Sequence, residues 1–167
     1  MKWTLILFMS CAWQMAMSQH QNELGVKAMY GYGITNGTTL THAYAGIDLV
    51  TVLGEQTRVI YGFGYLNKKY TMDDYYISNN YFSTSALAEF GDVFRYGLGA
   101  YLNIKLHENN NFGIDGFKSP DVNDLGLFIQ TTYSSGKIQP FISVIYSPIE
   151  NEHISILGGL RYSLCRK

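Results

Sequence analysis

His153 and Ser155 stand two residues apart near the C-terminus, a spacing that could set an imidazole base beside a hydroxyl nucleophile. Such a pair needs a carboxylate to orient it, and no Asp or Glu follows Ser155. The adjacent acids Asp73 and Asp74, with His42 or His153 elsewhere, could activate water, but neighbouring acids in a polar stretch read as solvated. Gly31 and Gly33, Gly62 and Gly64, and Gly97 and Gly99 form Gly-x-Gly units without the third glycine and following helix of a dinucleotide loop. "NNNFGIDG" lacks the acidic spacing of a calcium loop. Asn36-Gly37-Thr38 matches a glycosylation sequon and reads more simply as a turn. No catalytic residue, metal ligand or cofactor is therefore expected, and no enzymatic role.

The remaining chemistry lies in charges. Lys27, Asp48, Arg58, Glu89, Arg95, Lys105, Asp124 and Arg161 each fall on the polar side of an alternating segment. In "VFRYGLGAYLNIKL", Phe94, Tyr96, Leu98, Ala100, Leu102, Ile104 and Leu106 share one face; Arg95, Gly97, Gly99, Asn103 and Lys105 share the other. A strand has a side-chain period of two, so this is one amphipathic strand. The same pattern recurs in "ELGVKAMYGYGIT", "HAYAGIDLVTVL", "TRVIYGFGYL", "YFSTSALAEFG", "DLGLFIQTTY", "IQPFISVIYS" and "HISILGGLRYSL". Eight such strands, an even number, let an antiparallel meander close into a barrel with both ends on one side.

The first eighteen residues hold one lysine, an apolar run from Trp3 to Trp13, and Ala16-Met17-Ser18 with small residues where a signal peptidase reads. They predict an export signal over 1–18, with a barrel domain over 19–167. A lipoprotein signal acylated at Cys11 is the alternative, and Phe8 and Met9 fit its pattern poorly. Removal of the leader leaves Cys165 alone and no internal disulfide. No later apolar run reaches the roughly 18 residues of a membrane helix, so insertion into a membrane would be by strands. Charged residues make up 15% of the chain and the net charge is −1. Ordinary soluble domains carry about 25% charged residues. No basic face points to nucleic acid.

Connections after the second, fourth and sixth strands are short, around "GEQ", "GD" and "SSG". Those after the first, third, fifth and seventh are "NGTT", "NKKYTMDDYYISNN", "HENNNFGIDGFKSPDVN" and "PIENE". Short turns at one rim and longer loops at the other is the layout of outer-membrane barrels. The polar face is dense in glycine where a water-facing surface would carry large polar groups. Glycine within a strand marks close approach, and an eight-stranded barrel has an interior just wide enough for side chains. The glycine and charge face is expected inside, as a salt-bridge network that fills the lumen, and the apolar face outside against lipid.

These strands carry a resemblance. "YGFGYLNKKY", "YGLGAYLNIKL", "PDVNDLGL", "ISVIYSPIE" and the final "ISILGGLRYSL" resemble, in texture and order, the small porin-like outer-membrane β-barrel proteins abundant in Bacteroidota. The resemblance implies an outer membrane of a Gram-negative bacterium, contact with lipid and with the barrel-assembly machinery, and no shared reaction. Two features depart from the pattern: the chain ends "LCRK" instead of on an aromatic, and the fourth strand lacks a bulky aliphatic stretch.

A filled barrel leaves recognition to its outer loops. Lys68, Lys69, Tyr70 and Tyr75 in the connection 67–80 are the candidate binding residues for an extracellular ligand or partner protein, because clustered tyrosines supply amphipathic contact area. Tyr76 and Tyr81 fit equally an aromatic girdle. The polar stretch 109–118, with Gly113 and Gly116, is a second candidate loop. Two other readings are a small porin-like channel and a secreted lipocalin-like barrel, the latter requiring an apolar interior.

Overall fold

The computed structural model describes residues 22–35, 38–72, 75–110, 124–148 and 153–164. Residues 1–18, with Cys11 among them, and Cys165, Asn36, Asp73, Asp74, Gly113 and Gly116 lie outside the described residues. Eight strands run β1 (Asn22–Thr35), β2 (Thr38–Val52), β3 (Thr57–Met72), β4 (Tyr75–Gly91), β5 (Phe94–Asn110), β6 (Asp124–Tyr133), β7 (Ile138–Ser147) and β8 (His153–Ser163). Each pairs antiparallel with its chain neighbours, and β8 pairs with β1, closing the barrel.

The short connections 53–56, 92–93 and 134–137 lie at one rim, here termed the turn rim. Hydrogen bonds tie each turn to the next: Gly91 N to Gln56 O at 2.9 Å, Ser134 N to Val93 O at 2.7 Å, and Ser163 N to Lys137 O at 2.9 Å. Leu164 N to Leu24 O, at 2.7 Å, completes the circuit across the two chain ends. Gly91 has φ +122°, a conformation that side chains strongly disfavour, which explains glycine at that turn.

Strand length varies around the barrel. β3, β4 and β5 have 16 or 17 residues, whereas β6, β7 and β8 have 10 or 11. Six extra residues at about 3.3 Å each carry the long strands about 20 Å further along their own direction. Among the described residues the barrel therefore rises on one side into a wall at the far rim, termed the hairpin rim. Opposite Asn80 and Tyr81 the register of β5 jumps from His107 to Lys105, leaving Leu106 as the extra residue of a bulge that bends the wall.

The two faces divide as the alternation predicts. Val26, Tyr32, Ile47, Leu98, Ile129, Ile142 and Ile156 point outward and are exposed, whereas Lys27, Asp48, Arg58, Glu89, Asp124 and Arg161 point inward and are buried. An outward apolar face around an interior that holds the buried charges is the reverse of the lipocalin-like arrangement.

Candidate functional site: the filled lumen and the hairpin rim

The inward glycines seat large side chains. The register sets Gly31 against Leu157, Gly99 against Phe128, Gly126 against Tyr101, and Gly159 against Phe141. A Cβ built on Gly99 would lie 2.5 Å from Phe128 Cζ, and one on Gly159 would run into the Phe141 ring. Each glycine thus vacates the space that the ring or leucine across the ladder occupies. Val50, Ile60, Leu87, Tyr101, Phe128, Ile145 and Leu157 form one apolar cluster, and Tyr44, Leu66 and Tyr81 form a second. The inward face was expected to be glycine and charge; it also carries this apolar plug. These large residues stand on the same parity as the charges, which is the signal that identifies them.

Toward the turn rim lies a network of buried charges. Arg58 donates to Glu89 across the β3–β4 pair at 2.6 Å and to Gln139 Oε1 at 3.1 Å. Glu89 also accepts from Thr132 at 2.7 Å and Gln130 at 3.0 Å. Arg161 Nε donates to Asp48 at 2.6 Å, and its Nη1 lies 3.8 Å from Glu89. Buried charges require such pairing and hydrogen bonding to be retained.

Toward the hairpin rim lies a second network. Asp124 accepts from Asn103 at 2.9 Å, from Ser147 and from Lys68, with which it forms a buried ion pair. Close by, His42 Nε2 and Ser155 Oγ are 2.8 Å apart and the His42 and His153 rings lie 5.8 Å apart. The serine of the His-x-Ser pair thus bonds the histidine of another strand, and both groups are buried.

The structure corrects several placements. Lys68, expected in an outer loop, is 1% exposed inside the lumen and supplies the cation that Asp124 needs. The connection 67–80 continues β3 and β4 as a hairpin, with only 73–74 outside the described residues. Its polar composition resembles a loop, but ladder pairing sets strand length and persists where the apolar face ends. Tyr70 shares Lys68's parity, whereas Lys69 and Tyr75 are exposed, with Lys69 Nζ 4.5 Å from the Tyr76 ring centroid. Tyr81 turns inward and is fully buried, so it contributes to no outer girdle. Lys105, expected among the lumen pairs, bonds Glu108 at 2.7 Å, three residues along its own strand. Arg95 sits half-buried at the turn rim and makes no ion pair with a described carboxylate.

A cavity of about 30 Å³ remains between the two networks, lined by Lys27, His42, Lys68, Ser83, Ser85 and Asn103 among others. That is room for a water molecule or two. Among the described residues no group of three His, Cys, Asp or Glu side chains is placed to hold a metal.

No protein-family model matches this chain, and no curated protein matches it. Solved structures do. Neisserial surface protein A aligns over 86% of this chain and 97% of its own, at 14% identity and TM-score 0.54. A de novo designed transmembrane β-barrel aligns over 89% and 100%, at 13% identity and TM-score 0.53. Ail, the attachment invasion locus protein of Yersinia pestis, in a complex with the heparin analogue sucrose octasulfate, aligns over 86% and 97%, at 10% identity and TM-score 0.50. Identities this low establish a shared fold.

Proposed function

We propose that the chain is a non-enzymatic barrel of a Gram-negative outer membrane, a rigid lipid-anchored platform whose recognition surface is its hairpin rim. The observation that carries this reading is the inversion of the two faces: apolar side chains stand exposed all round the barrel while ion pairs and rings fill its centre. Exposed leucines, isoleucines and tyrosines on every strand suit a hydrocarbon solvent, and a closed ladder satisfies the backbone that lipid cannot. Phe90, Phe94, Tyr96, Tyr133 and Tyr162 gather near the turn rim and Tyr30, Tyr32, Tyr65 and Tyr146 nearer the other, in the manner of interfacial girdles. The resemblance to porin-like barrels of Bacteroidota supports the same address. Contact with lipid and delivery by the barrel-assembly machinery follow from it.

With a lumen cavity of only about 30 Å³, transport of solutes is the weaker use of this scaffold. The wall formed by β3, β4 and β5 projects from the apolar belt and presents Lys69 and Tyr75 to solvent, the arrangement of a binding surface for an extracellular ligand or partner protein. The test is to replace 67–80 by a short turn and score two properties separately: heat-modifiable migration on gels for barrel assembly, and binding to cells, polysaccharide or a partner protein. Loss of binding with assembly intact supports the hairpin as the recognition surface. Retained binding by an assembled barrel refutes it.

A further inference from the structure

The buried charges of the lumen do not balance. Lys27, Arg58, Lys68 and Arg161 are buried cations, and Asp48, Glu89 and Asp124 are the buried carboxylates. Arg58 takes Glu89, Lys68 takes Asp124 and Arg161 takes Asp48. Lys27 is left over: it is 7% exposed, stands beside Arg161 in the β1–β8 register, and has no hydrogen bond or ion pair with a described residue. Its ammonium lies 4.8 Å from the Phe141 ring centroid and 5.8 Å from that of Tyr44. Ring faces stabilise a cation but accept little from its three N–H donors. In the neighbouring network Arg161 Nη1 and Nη2 and Asp48 Oδ1 are also buried without a hydrogen-bond partner.

Lys27 lines the cavity, and so do Ser83 and Ser85, whose hydroxyls make no hydrogen bond to another described residue. Met29, Leu157 and Phe128 add apolar surface to a wall that also includes His42, Lys68 and Asn103. We propose that this cavity binds one small monovalent anion, a halide such as chloride, held by the Lys27 ammonium and the Ser83 and Ser85 hydroxyls. A cavity of about 30 Å³ suits an ion little larger than water. The mixed lining suits an ion that is only weakly hydrated. Bound there, the anion neutralises the surplus charge at the centre of the lumen and makes folding stability depend on halide. The site stands on the lumen geometry and is independent of the role assigned to the hairpin rim.

The experiment uses the mature chain refolded in detergent. Crystals grown in sodium bromide should show an anomalous peak within hydrogen-bond reach of Lys27 Nζ. In urea titrations at constant ionic strength, with chloride exchanged for sulfate, the folded-to-unfolded ratio should rise about tenfold per tenfold increase in chloride above the dissociation constant, as linkage to one ion requires. Lys27→Met should abolish that dependence, with Lys27→Gln used if the methionine variant does not fold. An anomalous map that shows only water beside a wild-type Lys27 overturns the proposal. So does a chloride dependence that sulfate reproduces or that the Lys27 variant retains.

Discussion

Glu89→Gln is the substitution that most directly tests the lumen network. The Glu89 carboxylate is fully buried and accepts from Arg58, Thr132 and Gln130 at 2.6–3.0 Å, with Arg161 at 3.8 Å. Glutamine keeps the shape and one acceptor oxygen but removes the charge. If the oxygen stays on Thr132 and Gln130, the new amide N–H groups meet the Arg58 guanidinium, donor against donor. Arg58 then keeps only the neutral Gln139 oxygen. Removing one partner of a buried pair costs about 3–5 kcal/mol. At about 1.4 kcal/mol per decade, that lowers the folding equilibrium by two to nearly four orders of magnitude. Arg58→Met in the same background removes the stranded cation, so the double variant should be less damaged than the sum of the singles, with a coupling of about 2–3 kcal/mol. Both tryptophans, Trp3 and Trp13, lie within the first eighteen residues, outside the barrel strands. Urea unfolding in vesicles is therefore followed by circular dichroism and by gel mobility of the folded band. A cost below about 1 kcal/mol for Glu89→Gln, or strict additivity with Arg58→Met, would refute the claim that a buried ion pair holds this end of the lumen.

Two further substitutions probe neighbouring claims. Lys68→Met strands Asp124 with only Asn103 and Ser147 as donors and should cost about 3–5 kcal/mol, whereas Lys69→Met, removing an exposed cation over Tyr76, should cost at most about 1 kcal/mol; equal costs in urea titrations would place Lys68 outside the lumen. Ile129→Lys puts a charge on the outward face in mid-strand and should cost about 2–4 kcal/mol in vesicles if that face meets hydrocarbon, and an unchanged midpoint would show that it meets water.

How much of this was legible in the sequence differs from residue to residue. The alternation in β5 decided that Leu98 points one way and Arg95 the other, and the glycines on Arg95's side identified that side as the interior. The Arg58 and Glu89 pair was within reach of the same reasoning, because both stand on the inward parity of adjacent strands and face each other in the β3–β4 register. Lys68 was not. Its neighbours Asn67, Lys69 and Tyr70 have the composition of a solvated loop, and only the continued pairing of β3 with β4 turns its side chain into the lumen.

Side-chain direction along a strand is set locally, by the pleat of the backbone, and so the order of residues alone determined the number of strands, their faces and the separation of short from long connections. The identity of partners was decided elsewhere. Asp124 meets Lys68 across 56 residues of chain, and Arg161 meets Asp48 across 113. Gly159 makes room for the Phe141 ring because β7 and β8 are in one particular register. Such pairings depend on where the sheet closes and how its strands are staggered, quantities that belong to all eight strands together. A shift by one residue would send every one of those inward groups to the outer face. The tertiary structure therefore decided which charges neutralise one another, which glycines seat which rings, and that Lys27 is left over.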